Sequence, residues 1–341
     1  MLTRTPDYYS DFRCLAGACP HTCCAKWEVV IDPDTAARYA GMEGPLGDRL
    51  RSALVRDEEG DWCFPLQGER CPFLDGENLC QIHRQLGEAA TSVTCREHPR
   101  FIEEYGPFRE ITLSASCPAA NALLLGSEAP LAFREEGAME ARPDDDTALL
   151  LALRDRMLAV LEDRREPLRQ RLKAFLTVGW AAQEALDVWD EEALSALAAG
   201  EWSAEAPEVE DGPGLFPDAL RLLSGLEALE PDWPDLLRRA EAAPATAVPE
   251  PLLERIAVYF AFRYLLKSVN DGDLLSRAQL CLLAVLTVER LAAVTGLSEA
   301  LRRFSCEVEH DDGSLDALLE TFRSGALPPA AFLRTLKENE R

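Results

Sequence analysis

The chain has 341 residues, a formal net charge of −25 and an apolar content of 47%. That length fits about two domains, and the apolar share is enough for a true core. So acidic a chain lacks the clustered basic face that nucleic acid requires and is repelled by anionic lipid; its charge serves solubility first and also suits a lysine-bearing partner.

Residues 1–12 contain Asp7 and Asp11 and no apolar core, so they do not read as a signal peptide. No later run reads as the roughly 18 to 20 apolar residues of a membrane span. The expected location is the cytoplasm, with neither membrane nor nucleic acid as partner. Up to about residue 126 the chain is short-patterned and rich in Gly, Pro and Cys. Trp27-Glu28-Val29-Val30-Ile31 is a β-branched run that predicts one short strand, and Asp32-Pro33-Asp34 starts a helix through Tyr39. Phe108 to Leu113 predicts another strand. Between Pro130 and Asp146 the chain turns Glu-, Asp- and Pro-rich without apolar period, as a linker does, and Asp144 to Asp146 offer a helix N-cap.

Beyond the linker, Leu149, Leu150, Leu153, Met157, Val160 and Leu161 mark an amphipathic helix, and Leu168, Leu172, Phe175, Leu176 and Gly179 a second. Further helices are predicted near 190–199, 216–229, 251–270, 273–296 and 328–338, interrupted by acidic Pro and Gly stretches near 201–214 and 241–250. The aromatic run Tyr259, Phe260, Phe262 and Tyr264 reads as packing, and Cys281 and Cys306 as buried thiols. The expected fold class is therefore mainly α. It has an irregular cysteine-rich metal-binding domain with little β at 1–127, an acidic linker at 128–148, and an all-α helical domain at 149–341 suited to substrate docking.

Nine of the eleven cysteines fall in the first 117 residues: Cys14, Cys19, Cys23, Cys24, Cys63, Cys71, Cys80, Cys95 and Cys117. In a reducing compartment such density points to metal rather than to disulfides, and neighbours such as Cys23 and Cys24 can send one thiolate to each side of a turn. With few histidines nearby, all-sulfur coordination suits zinc or an iron-sulfur cluster and disfavours calcium or magnesium. The spacings lack the paired Cys-x2-Cys knuckles of a zinc ribbon. Prolines after Cys19, Cys71 and Cys117 stiffen the loops, as at the Cys-Pro of bacterial ferredoxins, so an iron-sulfur cluster fits better, with zinc as the alternative.

These residues also resemble a known family. Tyr8, Phe12, Cys14, Cys19, Cys23-Cys24 and Trp27, then Cys71-Pro72-Phe73-Leu74, Leu79 to His83, Leu86-Gly87-Glu88, Cys95 to Arg100 and Ser116-Cys117-Pro118 are similar in order to the flagellin lysine-N-methylases. In part they resemble the broader zinc- or iron-chelating CxxCxxCC proteins. The resemblance covers roughly residues 8–120 and reaches the helical half only in texture. It implies a cysteine-held cluster, most simply 4Fe-4S, and methyl transfer from S-adenosylmethionine to a lysine of a protein substrate, flagellin. Eight positions carry over as metal ligands: Cys14, Cys19, Cys23, Cys24, Cys71, Cys80, Cys95 and Cys117. Cys63 stands outside, and how the eight divide is left open, with Cys19, Cys23, Cys24 and Cys95 favoured for a reactive cluster.

Arg96 and Arg100 are candidates to bind a carboxylate of the cosubstrate through their planar forks. No catalytic residue is assigned. Glu97, Glu103 and Glu104 are possible bases, but in a chain this acidic each reads first as a surface carboxylate. Neither the glycine-rich fingerprint of a Rossmann methyltransferase nor the ordinary radical-SAM Cys-x3-Cys-x2-Cys spacing is present, because Cys24 follows Cys23 directly. A noncatalytic metal-binding protein with a helical interaction platform is the competing expectation.

Overall fold

A computed structural model describes residues 1–27, 29–58, 60–201, 212–216, 218–244 and 246–338. The strands are β1 (Leu2–Pro6), β2 (Val29–Val30), β3 (Val55–Arg56), β4 (Trp62–Phe64), β5 (Arg100–Tyr105), β6 (Phe108–Leu113) and β7 (Phe133–Glu136). The first helices are α1 (Pro33–Ala40), α2 (Gly44–Ala53), α3 (Gln81–Leu86), α4 (Val93–Glu97) and α5 (Pro118–Leu124). After them come α6 (Asp145–Glu162), α7 (Leu168–Asp187), α8 (Glu191–Ala199), α9 (Asp218–Ser224) and α10 (Trp233–Ala242). The chain ends in α11 (Glu250–Tyr264), α12 (Leu274–Thr295), α13 (Leu297–Glu309), α14 (Asp312–Arg323) and α15 (Pro329–Glu338). The mainly α class expected from sequence is borne out.

Two compact units result, and they are not contiguous in sequence. The smaller comprises Asp11–Phe101 and Leu113–Asn121; the larger takes Met1–Ser10, Ile102–Thr112 and Ala122–Arg341. The first ten residues join the larger unit because β1 pairs with β6 in parallel, Leu2 opposite Phe108, and with β7 antiparallel, Thr3 opposite Glu136. The sheet order is β5-β6-β1-β7, so part of the stretch read as linker is the edge strand of a four-stranded sheet.

The larger unit is built around α12, whose neighbours are α11, α13, α7, α10 and α14. Asp273 caps its first turn by accepting from the Ser276 N–H at 3.2 Å, and Gly296, at φ 80°, ends it in a conformation that L side chains rarely adopt. Leu280, Leu282, Leu283 and Leu291 are fully buried. Each contributes roughly 1.5 to 3 kcal/mol by leaving water. By length and composition α12 could cross a membrane, at mean hydropathy 1.6, against the expectation of no such run; its most apolar window is 67% buried within the protein. The acidic interruption expected at 201–214 lies largely outside the described residues. The aromatic run on α11 is core: Phe260 is fully buried, and Phe304 meets it edge-on at 5.8 Å. Cys281 is buried in α12 as expected, whereas Cys306 is only partly buried, beside Arg302 at 3.8 Å.

Charge is buried here too. Glu309 on α13 pairs with Arg263 at 2.8 Å and accepts from the Tyr264 hydroxyl at 3.0 Å and from Ser305. Truncating one partner leaves the other charged and dry, which costs about 3 to 5 kcal/mol. Glu309→Ala is therefore expected to destabilise the protein by about that amount, and denaturant unfolding of the variant measures it.

Candidate metal centre

The smaller unit has a modest core. Val29, Ile31, Ala36, Tyr39, Leu50, Phe64, Phe73 and Ile82 form one buried cluster, with Cys71 and Cys80 packed against its edge. The three-stranded sheet β2-β4-β3 supplies one side, and Cys63 sits buried in β4 opposite Val30 and Val55, which makes it a core residue. Asp32 organises two helices: one carboxylate oxygen caps α1 through the Thr35 N–H at 2.9 Å, and the other accepts the Val93 N–H of α4 at 2.9 Å. Asp32 was legible as a helix start, but its second role was not.

Each cysteine is set by a local device. In the first loop, a 3-10 turn at Ala16–Ala18 separates Cys14 from Cys19; the Ala16 N–H donates to the Cys14 sulfur at 3.3 Å, and the Cys19 thiol donates to the His21 carbonyl at 3.3 Å. Ala16 and Lys26 take left-handed φ of 48° and 75°, so the chain is strained on both sides of Cys23 and Cys24. Residues 24–26 then run antiparallel to 69–71: the Cys71 N–H donates to the Cys24 carbonyl at 2.8 Å, and the Lys26 N–H to the Glu69 carbonyl at 2.8 Å. Ala25 and Arg70 are the directly opposed pair between them.

Past Cys71, buried Phe73 anchors the loop, and the Gln81 N–H returns to the Phe73 carbonyl at 2.8 Å, bringing Cys80 opposite Leu74. Asp75 knots the intervening turn, accepting from the Glu77 and Leu79 N–H groups, each at 2.9 Å, and pairing with Arg84 at 2.6 Å. Cys95 lies in the first turn of α4, where the Ser92 hydroxyl accepts its N–H at 3.3 Å. Cys117 precedes α5; its N–H donates to the Ser114 carbonyl at 3.2 Å, and the Ser114 N–H to the Pro99 carbonyl at 2.7 Å. Asp75, Ser92 and Phe73 are thus positioning residues that the sequence reading did not single out. The Ser92-x-x-Cys95 cap pattern was the available signal.

All eleven cysteines are free thiols. Burial pushes Cys19, Cys80 and Cys117 up, Cys71 to about 12 and Cys95, whose surface reaches solvent at one edge, to about 11. The pair at the centre is split: a hydrogen bond between neighbouring sulfurs raises Cys23 and holds Cys24 down at about 7. The side chains also fall into electrostatic neighbourhoods. Cys23 senses Cys14 and Cys117 besides Cys24, and Cys117 senses Cys19 and Cys14. Cys71 senses Cys24, Cys95 and Cys80, while Cys95 senses Cys24 and Cys80. Among the described residues, no three His, Cys, Asp or Glu side chains converge on a common point able to hold an ion. The thiols are gathered into one unit without being drawn together, and their donor chemistry, sulfur throughout, fits zinc or iron and no hard cation.

Of the other expected residues, Arg96 donates to the Thr91 carbonyl and Arg100 lies over the Phe12 ring at 5.5 Å. His98 is pushed down to about 4 by burial, and its ring is 5.9 Å from that of Trp27. Glu103 is paired with Lys267, and Glu104 is exposed.

Residues 13–116 match a family model described as "Putative zinc- or iron-chelating domain". The stretch lies mostly in the smaller unit, which is thus similar to proteins of the CxxCxxCC kind. Over 137 residues, 38% of this chain, it is 26% identical to the flagellar biosynthetic protein FliU of Salmonella muenchen, covering 81% of that protein. Over the same length it is 26% identical to the lysine-N-methylases of Salmonella choleraesuis and Salmonella typhimurium, so it spans about a third, 34%, of each. The resemblance to the lysine-N-methylase family is borne out. No solved structure matches the chain.

A steric detail makes the loop arrangement testable. A Cβ on Gly17 would stand 2.6 Å from the Glu77 carbonyl oxygen, so the Cys14–Cys19 loop rests directly on the turn before Cys80. Gly17→Ala is expected to force the two loops apart at a cost of about 1 to 3 kcal/mol and to speed alkylation of Cys19. Gly76→Ala, which meets nothing within 4 Å, should leave both melting temperature and alkylation rate unchanged.

Proposed function

We propose that this chain is a protein-lysine N-methyltransferase that uses S-adenosylmethionine and holds an iron-sulfur cluster, most simply 4Fe-4S, on cysteines of the smaller unit. The observation that carries the reading is the gathering of eight free thiols, Cys14, Cys19, Cys23, Cys24, Cys71, Cys80, Cys95 and Cys117, in a unit whose residues 13–116 match the model of a putative zinc- or iron-chelating domain, in a chain similar to lysine-N-methylases. The substrate class is a lysine-bearing protein, with flagellin suggested by the flagellar name of one relative. The compartment proposed is the cytoplasm, where thiols stay reduced.

When bound, a cluster supplies iron with Lewis-acid or electron-donating capacity. The chain's own part is to hold and orient. Methyl transfer by displacement forms a bond from the lysine nitrogen to the methyl carbon, breaks the methyl-sulfur bond so that the electron pair leaves with sulfur as a neutral thioether, and releases the ammonium proton to a base. Arg96 and Arg100 are the proposed contacts to the carboxylate of the cosubstrate, through the planar fork of the guanidinium. The acidic chain suits a basic substrate surface, and the larger unit, rich in helices, is the proposed docking element.

Anaerobic purification with iron, zinc and sulfide analysis and a visible spectrum decides the metal. A brown, sulfide-bearing protein supports the cluster; a colourless zinc protein overturns it. Labelled methyl groups should pass from S-adenosylmethionine to flagellin lysines and fail to do so with Cys23→Ser. A cluster-replete protein that neither binds the cosubstrate nor transfers a methyl group supports the noncatalytic metal-binding reading instead. Because burial keeps most of these thiols protonated near neutrality, metal uptake must displace protons. Apparent metal affinity is therefore expected to climb between about pH 6 and pH 8, by about tenfold per unit for each proton displaced, in competition titrations with a chelator.

A further inference from the structure

We propose that the turn between α7 and α8, where Val188 and Trp189 stand exposed among Asp187, Asp190, Glu191 and Glu192, is a docking surface for a basic protein segment that carries lysine or arginine beside an apolar side chain. The proposal rests on the reading of the larger unit as a docking element and names the surface and the chemistry that the segment must have.

The apolar part is not explained by packing. Val188 is 76% exposed and Trp189 47%, and among the described residues they are the only sequence neighbours that are both large, apolar and exposed. The other described tryptophans are covered: Trp233 is fully buried, and Trp27, Trp62 and Trp180 are half-buried. The turn is fixed on both sides. The Trp189 N–H donates to the Leu186 carbonyl at 3.1 Å and the Asp190 N–H to the Ala185 carbonyl at 2.8 Å, while the Asp190 carboxylate caps α8 through the Ala193 N–H at 3.0 Å. Trp189 holds the left-handed position of this turn, at φ 51°, where glycine is the usual residue. A tryptophan there strains the backbone and leaves half its surface in water, so the fold gains little from it.

The rim is more acidic than the helices require. Glu191 and Glu192 sit in the first turn of α8, where the helix dipole favours them, but Asp187 ends α7, where its charge opposes the dipole. Several exposed acids elsewhere are matched by a nearby arginine, as Asp163 is by Arg165 and Asp235 by Arg238. Here the sequence supplies none, since no lysine, arginine or histidine occurs between Lys173 and Arg221. Among the described residues none of the four carboxylates is in an ion pair. Charge complementarity therefore selects the occupant: lysine or arginine meets the rim, the tryptophan face attracts the same cation, and Val188 meets an apolar neighbour. A second copy of this chain, at net charge −25, is repelled. Gln183 ties the surface to the body, donating to Asp187 at 2.8 Å and to the Gly272 carbonyl at 3.0 Å and accepting the Leu274 N–H of α12 at 2.8 Å. A surface so held loses little freedom when a partner binds.

The test is fluorescence anisotropy of a fluorescein-labelled peptide of repeated Lys-Lys-Leu, titrated with the full-length chain and without cosubstrate. The wild-type chain is expected to bind it and to ignore the peptide with glutamate in place of lysine. Trp189→Gly, which suits the left-handed turn, should weaken binding about tenfold or more without lowering the melting temperature, and Glu191→Gln with Glu192→Gln should weaken it as much. Met139→Ser, at a residue 38% exposed outside the turn, should leave affinity unchanged. A wild-type chain that does not bind the peptide, a Trp189→Gly chain that binds as well as wild type, or a Met139→Ser chain weakened equally overturns the proposal. So does a wild-type dimer in light scattering that Trp189→Gly dissolves, because the patch then serves a second copy. The assay needs neither metal nor methyl transfer. If the peptide results hold and flagellin is not methylated, the methyltransferase reading falls and the docking surface stands; if flagellin is methylated and Trp189→Gly changes neither methylation nor peptide binding, the docking surface alone falls.

Discussion

The smaller unit depends on one short piece of backbone pairing, the bonds that lay residues 24–26 against 69–71. The placing of Cys24, Cys71 and Cys80 follows from it. The pairing fixes where Cys24 faces, delivers Cys71 across from it, and starts the loop that Phe73 anchors and Asp75 ties off before Cys80. Neither segment has the length or the β-branched composition to pair alone, so the alignment rests on the apolar cluster beneath it and on local strain at Ala16 and Lys26. A unit with so small a core gains most from ligands that bind only its folded form.

The larger unit solves a different problem. Its acidic chain needs arginine inside as well as outside, and the buried carboxylates each hold such partners: Glu110 holds Arg154 at 2.6 Å, Glu254 holds Arg171 at 2.6 Å and Arg164 at 2.8 Å, and Glu309 holds Arg263 at 2.8 Å. Such pairs add little net stability over apolar residues of like shape, but they penalise any packing that separates them. The charge pattern therefore specifies which helix meets which.

That same pattern explains what could be seen from the residues alone. Helices whose apolar positions recur cleanly, such as α6, α7 and α12, were readable, as were the caps at Asp32 and Asp144, which accept from the Thr35 and Thr147 N–H groups at 2.9 Å. The helix α13 was not, because Arg302, Arg303, Glu307 and Glu309, which look like a solvated face, are buried in ion pairs. Strand β1 escaped notice because its partners, β6 and β7, lie more than a hundred residues away, and no local period encodes such pairing. At the metal centre the ligand types were legible, whereas the anchoring role of Phe73 was not. The grouping of thiols was not, since it depends on cross-strand register rather than spacing.

The order β5-β6-β1-β7 has a topological corollary. The chain leaves the sheet at the end of β1 and re-enters it at β5, two strand positions away, a gap of roughly 10 Å at ordinary strand spacing. The cysteine-bearing excursion between them is thus a cassette with closely spaced ends. A short flexible bridge could span its ends, but Leu113–Asn121, with Cys117, rejoins the smaller unit only after β6, so the two units are interleaved in the chain and that excursion alone does not carry all of the metal module.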